Sequence, residues 1–127
     1  MLNTQLVGER PLYWVASAKK DLIAMPQPVV RAIGMALGVA QQGGKHPKAK
    51  PWKGEGPGVF EVVSDFAGDT FRAVYTVSFR KAVYVVHCFQ KKSPRGGKTA
   101  GTDVDLIRER LKAARVEYET QYGQGAK

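Results

Sequence analysis

The sequence predicts a single α+β domain: a twisted, mainly antiparallel sheet with helices packed on it, in the order β-α-α-β-β-β-α. Three observations lead to this fold class. A length of 127 residues fits one domain. The hydrophobic spacing changes along the chain between helical and alternating periods. A content of 43% hydrophobic and 24% charged residues is typical of a globular protein. We expect residues 1–10 to be a flexible leader, residues 11–122 to form the domain and residues 123–127 to be a frayed tail.

The first half of the domain predicts one strand and two helices. Residues 12–16 (LYWVA) are aromatic and β-branched, which favours a strand. Ser17 then caps a helix over residues 18–25, and a second helix covers residues 28–42 because a proline suits its first turn and two glycines end it. Helical spacing gives this second helix an apolar stripe, formed by Val29, Ile33, Ala36, Leu37 and Ala40.

The second half predicts three consecutive strands and a last helix. Strands over residues 59–66, 71–79 and 82–90 are separated by short turns, so we expect an antiparallel meander. The third strand is apolar on both faces, as an interior strand would be. Thr102 is expected to cap the last helix, whose apolar stripe consists of Val104, Ile107, Leu111, Ala114 and Tyr118.

Positive charge is concentrated in the middle of the chain. Lys and Arg number 20 against 11 acids, a net charge of +9, and the stretch from Lys45 to Lys98 holds 11 basic residues against four acidic ones. Two of its segments, residues 44–58 and 91–101, are basic and rich in glycine, as functional loops often are. Such a field favours a phosphate backbone as partner, with an anionic membrane, an acidic protein or a merely solvated surface as alternatives.

Several function classes are excluded or disfavoured. Cys88 is the only cysteine, so no internal disulfide forms, which suits a reducing cytosol. Neither a signal peptide nor an apolar run long enough to span a bilayer is visible, so we expect a soluble, cytoplasmic protein without a membrane partner. His87 and Cys88 are adjacent on a strand and point to opposite faces, which disfavours a shared metal ion. The glycine-rich segment 54–58 lacks the strand and the Gly-Lys-Ser/Thr of a phosphate loop, and no G-x-S-x-G motif occurs.

Four strings carry a resemblance to a known family: LIAMPQPVVR at residues 22–31, VFEV from residue 59, FRAVY at residues 71–75 and VVHCFQKKS at residues 85–93. Their order over roughly residues 11–116 resembles the RelE/HigB toxin superfamily, especially its phage-derived HigB-like branch. The resemblance implies a toxin that enters the ribosomal decoding site and cleaves mRNA without metal or cofactor. It also implies an antitoxin partner, a HigA-like helix-turn-helix protein.

Metal-free RNA cleavage needs a base, an acid and cations around the reacting phosphate, since the 2′-oxygen attacks phosphorus and the 5′-oxygen leaves. Arg72 is the best candidate, because a guanidinium binds phosphate through two N–H groups and the resemblance assigns the strand arginine to the scissile phosphate. Lys91 and Lys92 are predicted to bind the RNA backbone or to take part in the chemistry. His87, expected on the same strand face as Val83 and Val85, is either an acid or base or a buried histidine with a satisfied hydrogen bond.

Further residues are predicted to bind RNA without catalysing its cleavage. Lys50, Lys53, Arg95 and Lys98 lie in the two basic loops and are candidate phosphate contacts. Trp52 either stacks on an unpaired base or anchors its loop to the body of the protein. Tyr75 is expected in the core.

The residues identify no general base and leave two other functions open. One is a non-catalytic module of phage origin that binds nucleic acid or an acidic partner through the same basic face. The other is a toxin that acts on gyrase, as some relatives of the superfamily do.

Overall fold

The computed structural model describes residues 9–91 and 100–123. Along the chain they form β1 (Leu12–Trp14), α1 (Ala18–Ile23), α2 (Gln27–Gln41), β2 (Ala49–Pro51), β3 (Val59–Phe66), β4 (Asp69–Thr76), β5 (Val83–Gln90) and α3 (Gly101–Tyr122). The strands form one sheet in the order β1-β5-β4-β3-β2. Only the β1–β5 pair is parallel among these strands, so the predicted α+β class with a mainly antiparallel sheet is confirmed.

Helices cover both faces of the sheet. On one face, α1 packs against β5 and α2 against β3. The stripe predicted for α2 is buried in this core, because residues that recur every three or four positions share one side of a helix. On the other face, α3 packs against β5 through buried Ile107, Ala114 and Tyr118, while Val104 and Leu111 are partly buried. We call this second side the α3 face.

Three local predictions differ from the structure. A short edge strand, β2, lies within the predicted long loop and pairs with β3. The side chain of Ser17 does not cap α1 but donates to Asp21 Oδ2 at 2.7 Å. The last helix begins at Gly101, one residue before the predicted cap Thr102, and has no side-chain cap.

The predicted antiparallel meander of β3, β4 and β5 is confirmed, but β4 begins and ends at different residues from those predicted. Ala67 and Gly68 have φ values of 53° and 88°, so the β3–β4 hairpin turns through two residues in the left-handed region, and β4 begins at Asp69. β4 ends at Thr76, so the connection to β5 spans residues 77–82 rather than the predicted Arg80-Lys81 pair.

Arg10 fastens the start of the described chain to the domain. Its guanidinium donates to the carbonyl oxygens of Val77, Phe79 and Ala40 at 3.2, 2.9 and 3.2 Å. This residue, placed in the predicted leader, is therefore part of the folded unit. The remainder of that leader up to residue 8, and residues 124–127 of the predicted tail, lie outside the described residues.

None of the described helices combines the length and apolar character needed to span a bilayer.

Candidate functional site

The register of the sheet shows which side chains share the α3 face. Lys50 lies opposite Glu61, and Glu61 lies opposite Val74, a member of the core under α3. One row further, Arg72 lies opposite Phe89, which also belongs to that core. Because directly opposed residues of neighbouring strands project to the same side, Lys50, Glu61 and Arg72 all lie on the α3 face.

Arg72 and Glu61 form an ion pair across β3 and β4. Arg72 Nη1 donates to Glu61 Oε1, and the two side chains are only 12% and 10% exposed. Arg72 Nε is buried, and none of the residues that the structure describes accepts a hydrogen bond from it. A buried donor without an acceptor costs about 1–3 kcal/mol, so this guanidinium has hydrogen-bonding capacity that Glu61 does not use.

Lys91 lies near this pair. Its backbone N–H donates to the carbonyl oxygen of Thr70 at 2.8 Å, which extends the β4–β5 ladder by one row beyond the Arg72–Phe89 row. Lys91 follows Phe89 by two positions and therefore projects to the α3 face. Diagonal neighbours of this kind have Cα atoms about 7–8 Å apart, so Arg72 and Lys91, both predicted site residues, lie close together.

Lys50 and Lys53 are exposed at the opposite edge of the sheet. Lys50 is the Cα partner of Glu61, which places its Cα about 5 Å from that of the buried carboxylate residue. Lys53 follows β2 in a turn. The α3 face thus carries one predicted lysine on each side of the Arg72–Glu61 pair, Lys50 at β2 and Lys91 after β5.

His87 lies on the α3 face, so its predicted position beside Val83 and Val85 is wrong. The cause is a register shift between Val74 and Tyr75 of β4, which leaves Val86 as an extra residue in β5. The bulge moves the side chains that follow it in β5 to the opposite face of the sheet. His87 therefore lies on the same face as Phe89, and the two rings stack with centroids 4.7 Å apart.

Both ring nitrogens of His87 are bonded to α3. Nε2 lies 2.8 Å from Asp103 Oδ1, and Nδ1 lies 3.2 Å from Arg110 Nη1. A guanidinium only donates hydrogen bonds, so Nδ1 must accept and Nε2–H must donate to Asp103. His87 is 5% exposed. Its proton is therefore committed to a structural contact, which corresponds to the satisfied buried histidine considered from the sequence.

Arg110 completes this network at the edge of the sheet. It also donates to the carbonyl oxygen of Val86 at 3.1 Å and to Ser17 Oγ at 3.3 Å. Val86 has no partner residue in either neighbouring strand, because β1 pairs with β5 only as far as Val85 and the bulge leaves Val86 out of the β4 register. The guanidinium supplies a donor for this carbonyl and connects α3 to the start of α1.

The remaining predicted RNA contacts divide into two groups. Trp52 is only 8% exposed and belongs to the core on the α3 face, and its backbone N–H donates to the carbonyl oxygen of Val59 at 2.9 Å. This position fits the anchoring role and leaves little of the ring to stack on a base. Lys92, Arg95 and Lys98 lie outside the described residues.

Burial suppresses the ionisation of two groups near β5. It raises the pKa of the Tyr75 phenol and that of the Cys88 thiol each to about 12. Both side chains belong to the core that α1 and α2 cover, as expected for Tyr75. Neither group is available for acid–base chemistry at neutral pH.

Glu61 is the site residue that sequence reasoning missed. It was counted only as one of four acids in a basic stretch, although it interrupts the apolar run VFEVV. An acid at an inward position of a strand needs a partner, and that requirement was the available signal. Within residues 9–91 and 100–123, no group of three or more His, Cys, Asp or Glu side chains is arranged to hold a metal ion.

Comparison with known proteins gives a family and a structural neighbour. The family described as "Phage derived protein Gp49-like (DUF891)" matches residues 20–112, more than two thirds of the chain. No curated protein matches. Among solved structures, a chain of the toxin–antitoxin complex RelBE2 from Mycobacterium tuberculosis is similar with a TM-score of 0.46 and 18% sequence identity, and the match covers 65% of this chain and 99% of that chain.

Proposed function

Because this chain belongs to the Gp49-like family of phage-derived proteins, we propose that it is the toxin of a toxin–antitoxin pair and cleaves mRNA on the ribosome, in the cytoplasm, without a metal ion. One observation carries the proposal: the semi-buried Arg72–Glu61 pair lies on the α3 face between Lys50 and Lys91. The resemblance of the four sequence strings to the HigB-like branch supports the same activity, and the net charge of +9 suits an RNA substrate.

The pair supplies the two groups that the attack on phosphorus requires. A phosphate that approaches Arg72 competes with Glu61 for the guanidinium, and its oxygens also offer an acceptor for the unpaired Nε. Glu61, displaced from Arg72, then accepts the proton of the attacking 2′-hydroxyl. Arg72 stabilises the negative charge that develops on the phosphorane.

The neighbouring cations complete the reaction. The Lys91 ammonium donates a proton to the departing 5′-oxygen, so that the products are a 2′,3′-cyclic phosphate and a 5′-hydroxyl. Lys50 and Lys53 hold the backbone on the other side of the site. Lys92, Arg95 and Lys98 lie outside the described residues, and their proposed role in RNA binding rests on the sequence alone. His87 is a positioning residue in this scheme, because its ring nitrogens hold Asp103 and Arg110 in place.

Two substitutions test the chemistry. Glu61→Gln keeps the shape of the side chain but removes the base, and we expect cleavage of ribosome-bound mRNA to fall about 100-fold or more. Arg72→Ala should have an effect of at least that size. Arg31→Ala, an exposed arginine on α2, is the matched control and should cleave normally. Full cleavage by the Glu61→Gln protein would refute the proposed base.

The reaction conditions and the other functions are tested alongside. Cleavage should persist when EDTA is added after ribosomes have been stabilised with polyamines, and mapped mRNA ends should carry 5′-hydroxyls. A wild-type protein that leaves mRNA intact but inhibits supercoiling by gyrase would indicate the gyrase-directed function. A protein that neither arrests growth nor cleaves RNA, yet binds it, would indicate a non-catalytic module.

The proposed partner is an antitoxin encoded beside the toxin, a HigA-like helix-turn-helix protein. Co-expression of the neighbouring gene should restore growth and yield a co-purifying complex. Growth arrest that no neighbouring gene relieves would contradict this part of the proposal.

A further inference from the structure

A groove of about 380 Å³ lies between the segment before β3 and the outer side of α3. Pro57, Val59, Phe79 and Leu111 supply apolar lining. Val59 is two residues before Glu61 on the same side of β3, so the groove begins about 7 Å along the strand from Glu61, the nearer residue of the Arg72–Glu61 pair. None of the site residues discussed above lines it.

The α3 side of this groove is a row of cations. Arg108, Lys112 and Arg115 all line the groove and are exposed. Their spacing of four and three residues places them on one side of the helix, over about 10 Å of its length. An apolar floor beside such a row is complementary to an amphipathic segment with acidic residues next to its apolar ones.

The protein itself shows that the row accepts a carboxylate. Glu55, on the opposite wall, accepts a hydrogen bond from Arg108 Nε at 2.9 Å, and its side chain is only 13% exposed. Within residues 9–91 and 100–123, no carboxylate forms an ion pair with Lys112 or Arg115. Two cations of the row thus remain for carboxylates from elsewhere.

The groove suits RNA less well than an acidic peptide. Binding of unpaired bases relies on accessible aromatic faces, and the aromatic ring here is Phe79. That ring is 6% exposed, stacks on Tyr118 at 4.6 Å and has Arg115 over it at 5.8 Å. The rest of the apolar lining is aliphatic, which favours leucine-like side chains over bases.

We propose that this groove docks an acidic amphipathic segment of a protein partner, with apolar side chains on the floor and carboxylates on Lys112 and Arg115. The inference rests on the proposed function only for the source of the segment, the antitoxin. A segment bound there would lie next to Glu61 and would restrict the access of RNA to the Arg72–Glu61 pair.

The test uses a fluorescent helical peptide of about 14 residues, with leucines on one side and glutamates at positions i, i+4 and i+7 beside them, and fluorescence anisotropy as readout. The doubly reversed variant K112E/R115E should weaken binding about tenfold or more. The control K19E/R31E reverses one lysine and one arginine, both exposed, on α1 and α2. It changes the net charge equally and should weaken binding far less.

Two control peptides separate the contribution of the carboxylates to binding from that of the apolar side chains. Replacing the glutamates by glutamine, or the leucines by serine, should each abolish most of the binding. Equal weakening by K112E/R115E and K19E/R31E would overturn the inference, because binding would then follow net charge alone. A uridine decamer that loses affinity in K112E/R115E while the peptide does not would also overturn it and would assign the groove to RNA.

Failure of the inference is distinguishable from failure of the proposed function. Peptide binding is measured without RNA, and the Glu61→Gln protein should bind the peptide like the wild type. Normal RNA cleavage with no peptide binding rejects the groove alone. Peptide binding by a protein that never cleaves RNA rejects the nuclease alone.

Discussion

Removing the charges of Arg72 and Glu61 together should abolish RNA cleavage and leave the stability of the protein nearly unchanged. In Arg72→Met, Glu61 loses the cation that compensates its burial. Breaking a buried pair in this way costs about 3–5 kcal/mol. Since the two side chains retain 10–12% exposure, we expect the lower end of that range, about 3 kcal/mol. For a domain of this length that corresponds to a fall in Tm of about 10 °C.

The double variant Glu61→Leu/Arg72→Met should recover most of this loss. Apolar replacements of similar size remove both desolvation costs, and such replacements are often neutral or stabilising. The stability is measured by urea unfolding followed by tryptophan fluorescence and by calorimetry. Cleavage of ribosome-bound mRNA is measured on the same preparations, and we expect none from either variant.

A less buried pair provides the control. In the ion pair between Arg108 and Glu55, Arg108 is 52% exposed and Glu55 is 13% exposed. Because water solvates this guanidinium, Glu55→Leu/Arg108→Met and its single variants should each change stability by about 1 kcal/mol, clearly less than Arg72→Met does. A Glu61→Leu/Arg72→Met protein as unstable as Arg72→Met would show that the cost comes from lost packing and not from the unpaired charge. RNA cleavage by the double variant would refute the proposed roles of both residues in the reaction.

Three further predictions concern single residues. Gly58 has a φ of +87°, and a Cβ added to it would lie 3.0 Å from the Cβ of Ser78, whereas Gly56 has a similar φ of +89° and open space around it. Gly58→Ala should therefore lower the free energy of unfolding, measured in urea, by about 1–3 kcal/mol, clearly more than Gly56→Ala does. Equal effects of the two substitutions would count against the contact with Ser78. The raised pKa of Cys88, about 12 in place of 9.0, means that only the unfolded thiol ionises between these values, so its contribution to stability is complete below pH 9 and is lost as the pH rises towards 12. Unfolding titrations should show a shallower alkaline decline in Cys88→Ala, by up to about 1.4 kcal/mol per pH unit, and an unchanged slope would refute this. Lys50→Ala should weaken RNA binding at every sequence and lower the salt dependence of log K by about one contact, measured by filter binding at several salt concentrations; an unchanged salt slope would exclude a phosphate contact.

The sequence was sufficient for the parts of the fold that a single segment determines. The buried stripe of α2 repeats at the helical period, and the three meander strands are short runs rich in β-branched and aromatic residues that end at turns. Strand β2 has no such period, because Ala49–Pro51 is three residues long and contains a lysine and a proline. Its strand conformation depends on pairing with β3, a contact that local sequence does not encode.

The candidate site was predictable in its cations but not in its geometry. Arg72 and Lys91 were found because residue type and family resemblance both indicated them. The face predicted for His87 was wrong, because one extra residue in β5 moves every later side chain to the opposite face of the sheet. The apolar run VYVVHCFQ contains no pattern that indicates the bulge. The role of Glu61 depended on knowing which cation lies diagonally across the neighbouring strand.

Under the proposed function, the Arg72–Glu61 ion pair serves the chemistry of the site rather than the stability of the fold. A leucine and a methionine would fill the same space between β3 and β4 without desolvating two charges. Within the described part of the chain, the pair leaves Arg72 Nε without an acceptor, which is a further cost. A phosphate oxygen would satisfy that donor and release Glu61 in the same event. In a site with low exposure, charges interact more strongly than in water. The features that weaken the fold are therefore the ones on which the proposed RNA cleavage depends.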